Sequence, residues 1–116
     1  MTAKTKFRLR VFRDRTPLIG PGKIDLLEAI EKVGSISTAA KSLGMSYNRA
    51  WLLVSEMNKV LVKPVVEGTK GGSCGGGSLL TDAGLALIRE YRAIEREAEV
   101  ATAKRLNSLK RMVKAN

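Results

Sequence analysis

The residues with the most to offer chemically stand side by side at 46–49, Ser-Tyr-Asn-Arg, just where an apolar periodicity begins. A guanidinium such as that of Arg49 can donate two parallel hydrogen bonds to guanine O6 and N7. The carboxamide of Asn48 can pair with adenine, and Tyr47 and Ser46 are better suited to phosphates or a thymine methyl. These are groups for reading nucleic acid, and the groups for breaking bonds are missing. The chain has no histidine and one cysteine, Cys74, so it offers no Ser-His-Asp or Cys-His nucleophile and no ligand set for zinc. Glu28 with Glu31, and Glu95, Glu97 and Glu99, sit among bases at helical spacing, where a solvated, ion-paired face accounts for them. The expectation is a protein that is not an enzyme and carries no cofactor.

A second feature invites a catalytic reading and fails it. "KGGSCGGGSLLTDAG", residues 70–84, has five glycines between 71 and 77. A phosphate-cradling loop requires G-x-x-x-x-G-K-[ST], and a dinucleotide fingerprint requires G-x-G-x-x-G opening a helix in a βαβ unit. Here no Gly-Lys-Ser/Thr follows, and "SLLT" reads as a strand before the next helix begins. With "KPVVEGTK" ahead of it, the run is the tip of a β-hairpin, and Cys74 within it has no neighbouring base to activate it.

Charge points the same way as the donors. The 116 residues hold 21 lysines and arginines against 11 acids, for a net charge of +10, a balance that favours polyanions by counterion release. Seven bases against Asp14 lie in residues 1–23. This length suits one small domain. No apolar run approaches the ~20 residues needed to span a bilayer, no signal peptide is visible, and a lone cysteine suits a reducing compartment, so the expected location is cytoplasmic.

The elements that would position these groups follow from periodicity and punctuation. "KFRLRVF", 6–12, alternates, with Phe7, Leu9 and Val11 on one face and Lys6, Arg8 and Arg10 on the other, which predicts a strand; 14–23 supplies turns. A helix is expected over 21–32, closed by Gly34, and a two-turn helix after Ser35 or Ser37, stopped by Gly44. A third is capped by Ser46, with Ala50, Leu53 or Val54, Met57 and Leu61 as its buried stripe and Trp51 packing at the stripe's edge. From Thr81 a long helix of ~30 residues is expected, about 45 Å at 1.5 Å per residue. Leu87, Tyr91, Ile94, Ala98 and Ala101 form its seam, and the alternative is two helices broken near 102–105. Because so long a helix outruns a small domain, a second copy packed about a two-fold axis is the expected partner of its far half.

Helix, helix, turn, helix, hairpin is the order of a winged helix-turn-helix. The fold class expected is therefore mainly α with a small β-hairpin. A single domain divides into an N-terminal basic strand and turn (1–20), helix-turn-helix (21–62), wing (63–80) and long dimerisation helix (81–116). In that frame helix 46–60 enters the major groove and exposes Ser46, Tyr47, Asn48, Arg49, Leu52 and Ser55. For Asn48 and Arg49 the alternative is a solvated helix start. Thr38 on the preceding helix, ahead of Ser42, and Lys70 at the hairpin are the candidate phosphate contacts, each with a local capping or solvated reading beside it.

"GSISTAAKSLGMS" and "LTDAG" resemble the DNA-binding domain of LysR-type transcription factors. "SISTAAKSLGMSYNRAWLLVSEMN", "VVEGTKGG", the glycine tip and "LLTDAG" more narrowly resemble the N-terminal domain of ModE-type molybdate-dependent regulators, over about residues 8–97. The resemblance implies a bacterial-type homodimer that binds double-stranded DNA at a palindromic operator and regulates transcription, in that family of molybdate uptake or molybdoenzyme genes. Where the family carries a basic residue and a glycine in the wing, Ser73 and Cys74 stand here. No segment resembling the family's molybdate-binding domains follows, so no small-molecule effector is assigned to this chain. A protein-interaction module and a non-sequence-specific DNA binder on the same fold are the alternatives.

Overall fold

The computed structural model describes residues 3–68 and 78–115. Helix α1, Pro21–Val33, lies at its centre: Ile24, Leu26, Leu27 and Ile30 have no exposed surface at all. Pro21 suits the first turn because its φ is preset and its missing N–H would have had no helical partner. Gly34 ends the helix in the left-handed region, φ 74°, and donates its N–H to the Ile30 carbonyl. Packed on α1 are α2, Ile36–Ser42, and α3, Tyr47–Val60. Ser35 and Ser46 cap them, each hydroxyl oxygen accepting from the N–H three residues on, Thr38 at 3.0 Å and Arg49 at 3.1 Å. Gly44, φ 68°, makes the turn between them. Ile36, Ala39 and Ala40 from α2 and Ala50, Val54 and Met57 from α3 complete the helical part of the core.

Strands β3, Val66–Gly68, and β4, Ser78–Leu80, pair antiparallel with Val66 opposite Leu80, beside the helix-turn-helix. The architecture is a winged helix-turn-helix, mainly α with a small β component. The glycine tip, with Lys70, Ser73 and Cys74, lies outside the described residues.

Two expectations are corrected. At the N-terminus a hairpin replaces the single strand over 6–12: β1, Val11–Arg13, pairs with β2, Thr16–Ile19, around Asp14 at φ 53°. Pro17 is tolerated because each strand of a two-stranded ribbon is an edge. Residues 6–10 keep their alternation, Phe7 and Leu9 half-buried and Lys6, Arg8 and Arg10 exposed, but lie in neither sheet. The Leu9 carbonyl accepts instead from the Tyr91 hydroxyl at 2.7 Å, and Val11, expected on the apolar face, is 43 % exposed. At the C-terminus the long helix is two: α4, Asp82–Ala101, and α5, Ala103–Arg111. The break is Thr102, whose hydroxyl donates back to the Ala98 carbonyl at 2.6 Å, a competing bond of the kind that bends helices. The pair of helices makes the molecule long, 57 × 30 × 25 Å, with a radius of gyration of 17.2 Å. A compact domain of this size would have about 13 Å.

Helix α4 is fixed at its start by backbone contact with the wing. The Thr81 N–H donates to the Val65 carbonyl at 3.0 Å, and its hydroxyl donates to the Pro64 carbonyl at 2.6 Å while accepting from the Gly84 N–H at 3.0 Å. Gly84 sits so close that a Cβ there would collide with the Val65 carbonyl oxygen. Further along, Arg92 binds α4 to α1: Nε donates to Glu28 at 3.1 Å, Nη2 to Asp25 at 2.9 Å, and Nη1 to Glu95 on its own helix at 2.8 Å. The bonds to Glu28, then Glu95, raise the guanidinium pKa further above its already high value.

Gly84→Ala should therefore destabilise the fold by about 1–3 kcal/mol in urea unfolding, because the obstacle is backbone and cannot turn aside. Gly22→Ala in α1, where an added Cβ meets nothing within 4 Å, should leave stability unchanged or raise it. Equal effects would remove the close approach as the reason for glycine at 84.

Candidate nucleic-acid interface

Helix α3 turns roughly 100° per residue, so the residue identities divide it into faces. Ala50, Val54 and Met57 recur on the core side and are buried. The opposite side carries Asn48 and Leu52, with Lys59 two turns further on, all exposed, and Ser55 half-buried. Arg49 and Glu56 lie on one flank, where Glu56 is 3.7 Å from Lys23 of α1. Tyr47, Trp51 and Asn58 lie on the other. That second flank adjoins the wing, because Asn58 grips its first strand: Nδ2 donates to the Val66 carbonyl at 3.1 Å, and Oδ1 accepts from the Val65 N–H at 2.8 Å.

The first turn of α3 thus presents Tyr47, Asn48 and Arg49 to solvent together, at a helix end whose free N–H groups and dipole favour an anion. Ser46 is exposed beside them; accepting from Arg49 leaves its own O–H able to donate. Thr38 is exposed on α2, whereas Ser42 spends its hydroxyl on the Ala39 carbonyl at 2.7 Å, which favours Thr38 of the two. The structure therefore brings Thr38, Ser46, Tyr47, Asn48, Arg49, Leu52 and Ser55 onto the helix-turn-helix away from the core, and Lys70 lies outside the described residues.

Trp51 differs from expectation. It is 53 % exposed, since it follows Ala50 by one residue and so stands a quarter turn or more out of the buried stripe. The expected seam on α4 also divides. Leu87 packs against the chain's own core, and Tyr91 is 3 % exposed, with its hydroxyl engaged by Leu9 and its pKa raised by burial. Ile94, 47 % exposed, then half-buried Ala98 and exposed Ala101 continue the same stripe beyond the core. Sequence reasoning missed Asn58 altogether; a carboxamide late in a helix that precedes a Pro-Val-Val strand was the available signal.

Among the described residues no group of three or more cysteines or carboxylates is placed to hold a metal ion, and no helix is long and apolar enough to cross a membrane. If Asn58 sets the wing against α3, Asn58→Ala, which strands the Val65 N–H and the Val66 carbonyl, should cost about 1–3 kcal/mol in unfolding. Lys59→Ala, on the exposed side, should be near neutral; an equal cost for the two would refute the clamp.

No family model matches the sequence. Among curated proteins the chain is 49 % identical over 77 residues to the molybdenum-pterin-binding protein MopB of Rhodobacter capsulatus, a match covering 66 % of this chain and 28 % of that one. It is 42 % identical over 103 residues to the molybdenum transport protein ModE of Azotobacter vinelandii, covering 87 % and 38 %. It is 41 % identical over 86 residues to the DNA-binding transcriptional dual regulator ModE of Escherichia coli K12, covering 74 % and 30 %. The chain thus spans about a third of the length of these relatives. Among solved structures, ArgP from Mycobacterium tuberculosis superposes with a TM-score of 0.50 at 17 % identity, over 78 % of this chain and 30 % of that one, a likeness of fold. Fold and relatives together place the chain among sequences similar to the ModE and Mop proteins.

Proposed function

We propose that this chain is a sequence-specific, DNA-binding transcriptional regulator that works as a homodimer, with α3 in the major groove of double-stranded DNA. The observation that carries the reading is the first turn of α3: Tyr47, Asn48 and Arg49 exposed together on a winged helix-turn-helix with a net charge of +10. The similarity to a DNA-binding regulator named ModE supports it. In this reading Arg49 and Asn48 take base edges, Ser46 and Tyr47 take phosphates or a thymine methyl, Thr38 takes a phosphate, and Leu52 and Ser55 border the groove floor. Lys70 is assigned to the backbone alongside the wing, and the exposed bases at 6, 8 and 10 contribute charge without base preference. The relatives named for molybdenum transport and molybdenum-pterin binding make genes of molybdenum metabolism the proposed targets. Ile94, Ala98 and Ala101 are the proposed contact between two copies.

Selection of bound duplexes from random DNA should yield a two-fold symmetric site. On that site Arg49→Ala should cost about 1–3 kcal/mol and relax preference at one base position per half-site. Neutralising Lys6, Arg8 and Arg10 together should weaken all sequences alike and flatten the dependence of affinity on salt. A selection that enriches nothing over random DNA would refute sequence-specific recognition. Light scattering at micromolar concentration should report a dimer that Ile94→Glu converts to monomer, and a monomeric wild type would overturn the dimer.

A further inference from the structure

Helix α3 keeps three large apolar side chains in water: Tyr47 at 52 %, Trp51 at 53 % and Leu52 at 51 % exposure. A 14-residue helix whose buried side is already filled by Ala50, Val54 and Met57 has no structural use for them there. Tyr47 and Trp51 are four residues apart, so their Cβ atoms are neighbours, about 6 Å apart, on one flank. Asn58 lies on that flank too and is spent on the wing, which leaves the two rings as the exposed part of the flank.

We propose that Trp51, with Tyr47 beside it, is a specificity-determining surface for thymine, covering the 5-methyl groups that project into the major groove. The inference rests on the DNA-binding reading above and adds to it the base that the apolar flank recognises. Of the groups that base pairs display in that groove, the thymine methyl is the one projecting apolar group; the others are hydrogen-bond donors and acceptors. The half-exposed face of the indole is apolar and gains free energy by covering that methyl. The surroundings favour DNA over an apolar protein face: Lys59 is exposed on the side of α3 next to the rings, and the acid on α3, Glu56, turns to the opposite flank beside Lys23. Polar readout is left to Asn48 and Arg49, so the helix divides its labour, with hydrogen bonds from one side and methyl contact from the other.

The test uses a duplex selected by the whole chain from random DNA, with each thymine replaced in turn by deoxyuridine, which deletes the methyl and keeps every hydrogen bond. At one or more positions per half-site the wild type should lose about fourfold in affinity, the worth of one methyl-sized apolar group. Trp51→Ala should bind the thymine duplex more weakly and show no further loss with deoxyuridine at those positions; Tyr47→Ala should blunt the loss at an adjacent one. Thermal unfolding of both variants should match the wild type, since both rings are exposed. Indifference of the wild type to every deoxyuridine, or an undiminished loss in Trp51→Ala, would overturn the proposal while leaving DNA binding intact. Absence of any preferred duplex would instead remove the reading on which it rests.

Discussion

A single residue, Val65, is where three elements of this molecule are joined. Its N–H is taken by Asn58 at the end of α3, and its carbonyl accepts from Thr81 at the start of α4. Its side chain is buried in the core, and β3 begins at the next residue. Helix α3, the wing and α4 are therefore fixed relative to one another at this residue. Gly84 follows from the same constraint, because α4 can approach that carbonyl only where no Cβ intervenes. Backbone hydrogen bonds suit such a joint better than apolar packing, since they specify direction as well as proximity.

Much of the frame was legible in the sequence because it is written in local rules. Ser35, Ser46 and Thr81 cap helices, Gly34 and Gly44 take left-handed φ, and Pro21 opens α1, each for a reason contained within four residues. The misreadings lie where a distant group decides. Residues 6–10 alternate like a strand, yet the Tyr91 hydroxyl, more than eighty residues away, takes the Leu9 carbonyl. Thr16–Ile19 looks like turn material because of its proline, and the partner that makes it a strand lies just before it. The break at Thr102 was visible only as a shift of register, since threonine's bond back to Ala98 competes with a helix that composition otherwise favours.

The candidate interface divides in the same way. Donors on the first turn of α3 were found because cap and stripe together fix which residues point outward. Trp51 is expected to pack at the edge of the stripe, yet one step from Ala50 is enough to leave it half exposed. Tyr91 fits the 4-3 rhythm of a seam, but rhythm cannot say which part of a long helix lies over its own domain, and there the apolar stripe first serves the chain's core.

The Arg92 cluster carries a consequence for work on the protein in solution. Its three carboxylates, from two helices, are held together by one partly exposed guanidinium, so the orientation of α4 against α1 depends on charge as well as on packing. Added electrolyte, with a Debye length of about 10 Å at 0.1 M, screens that attraction and any phosphate contact at once. Ionic strength is thus a variable of the scaffold as well as of the complex, and the two contributions separate only when the free protein is titrated over the same range.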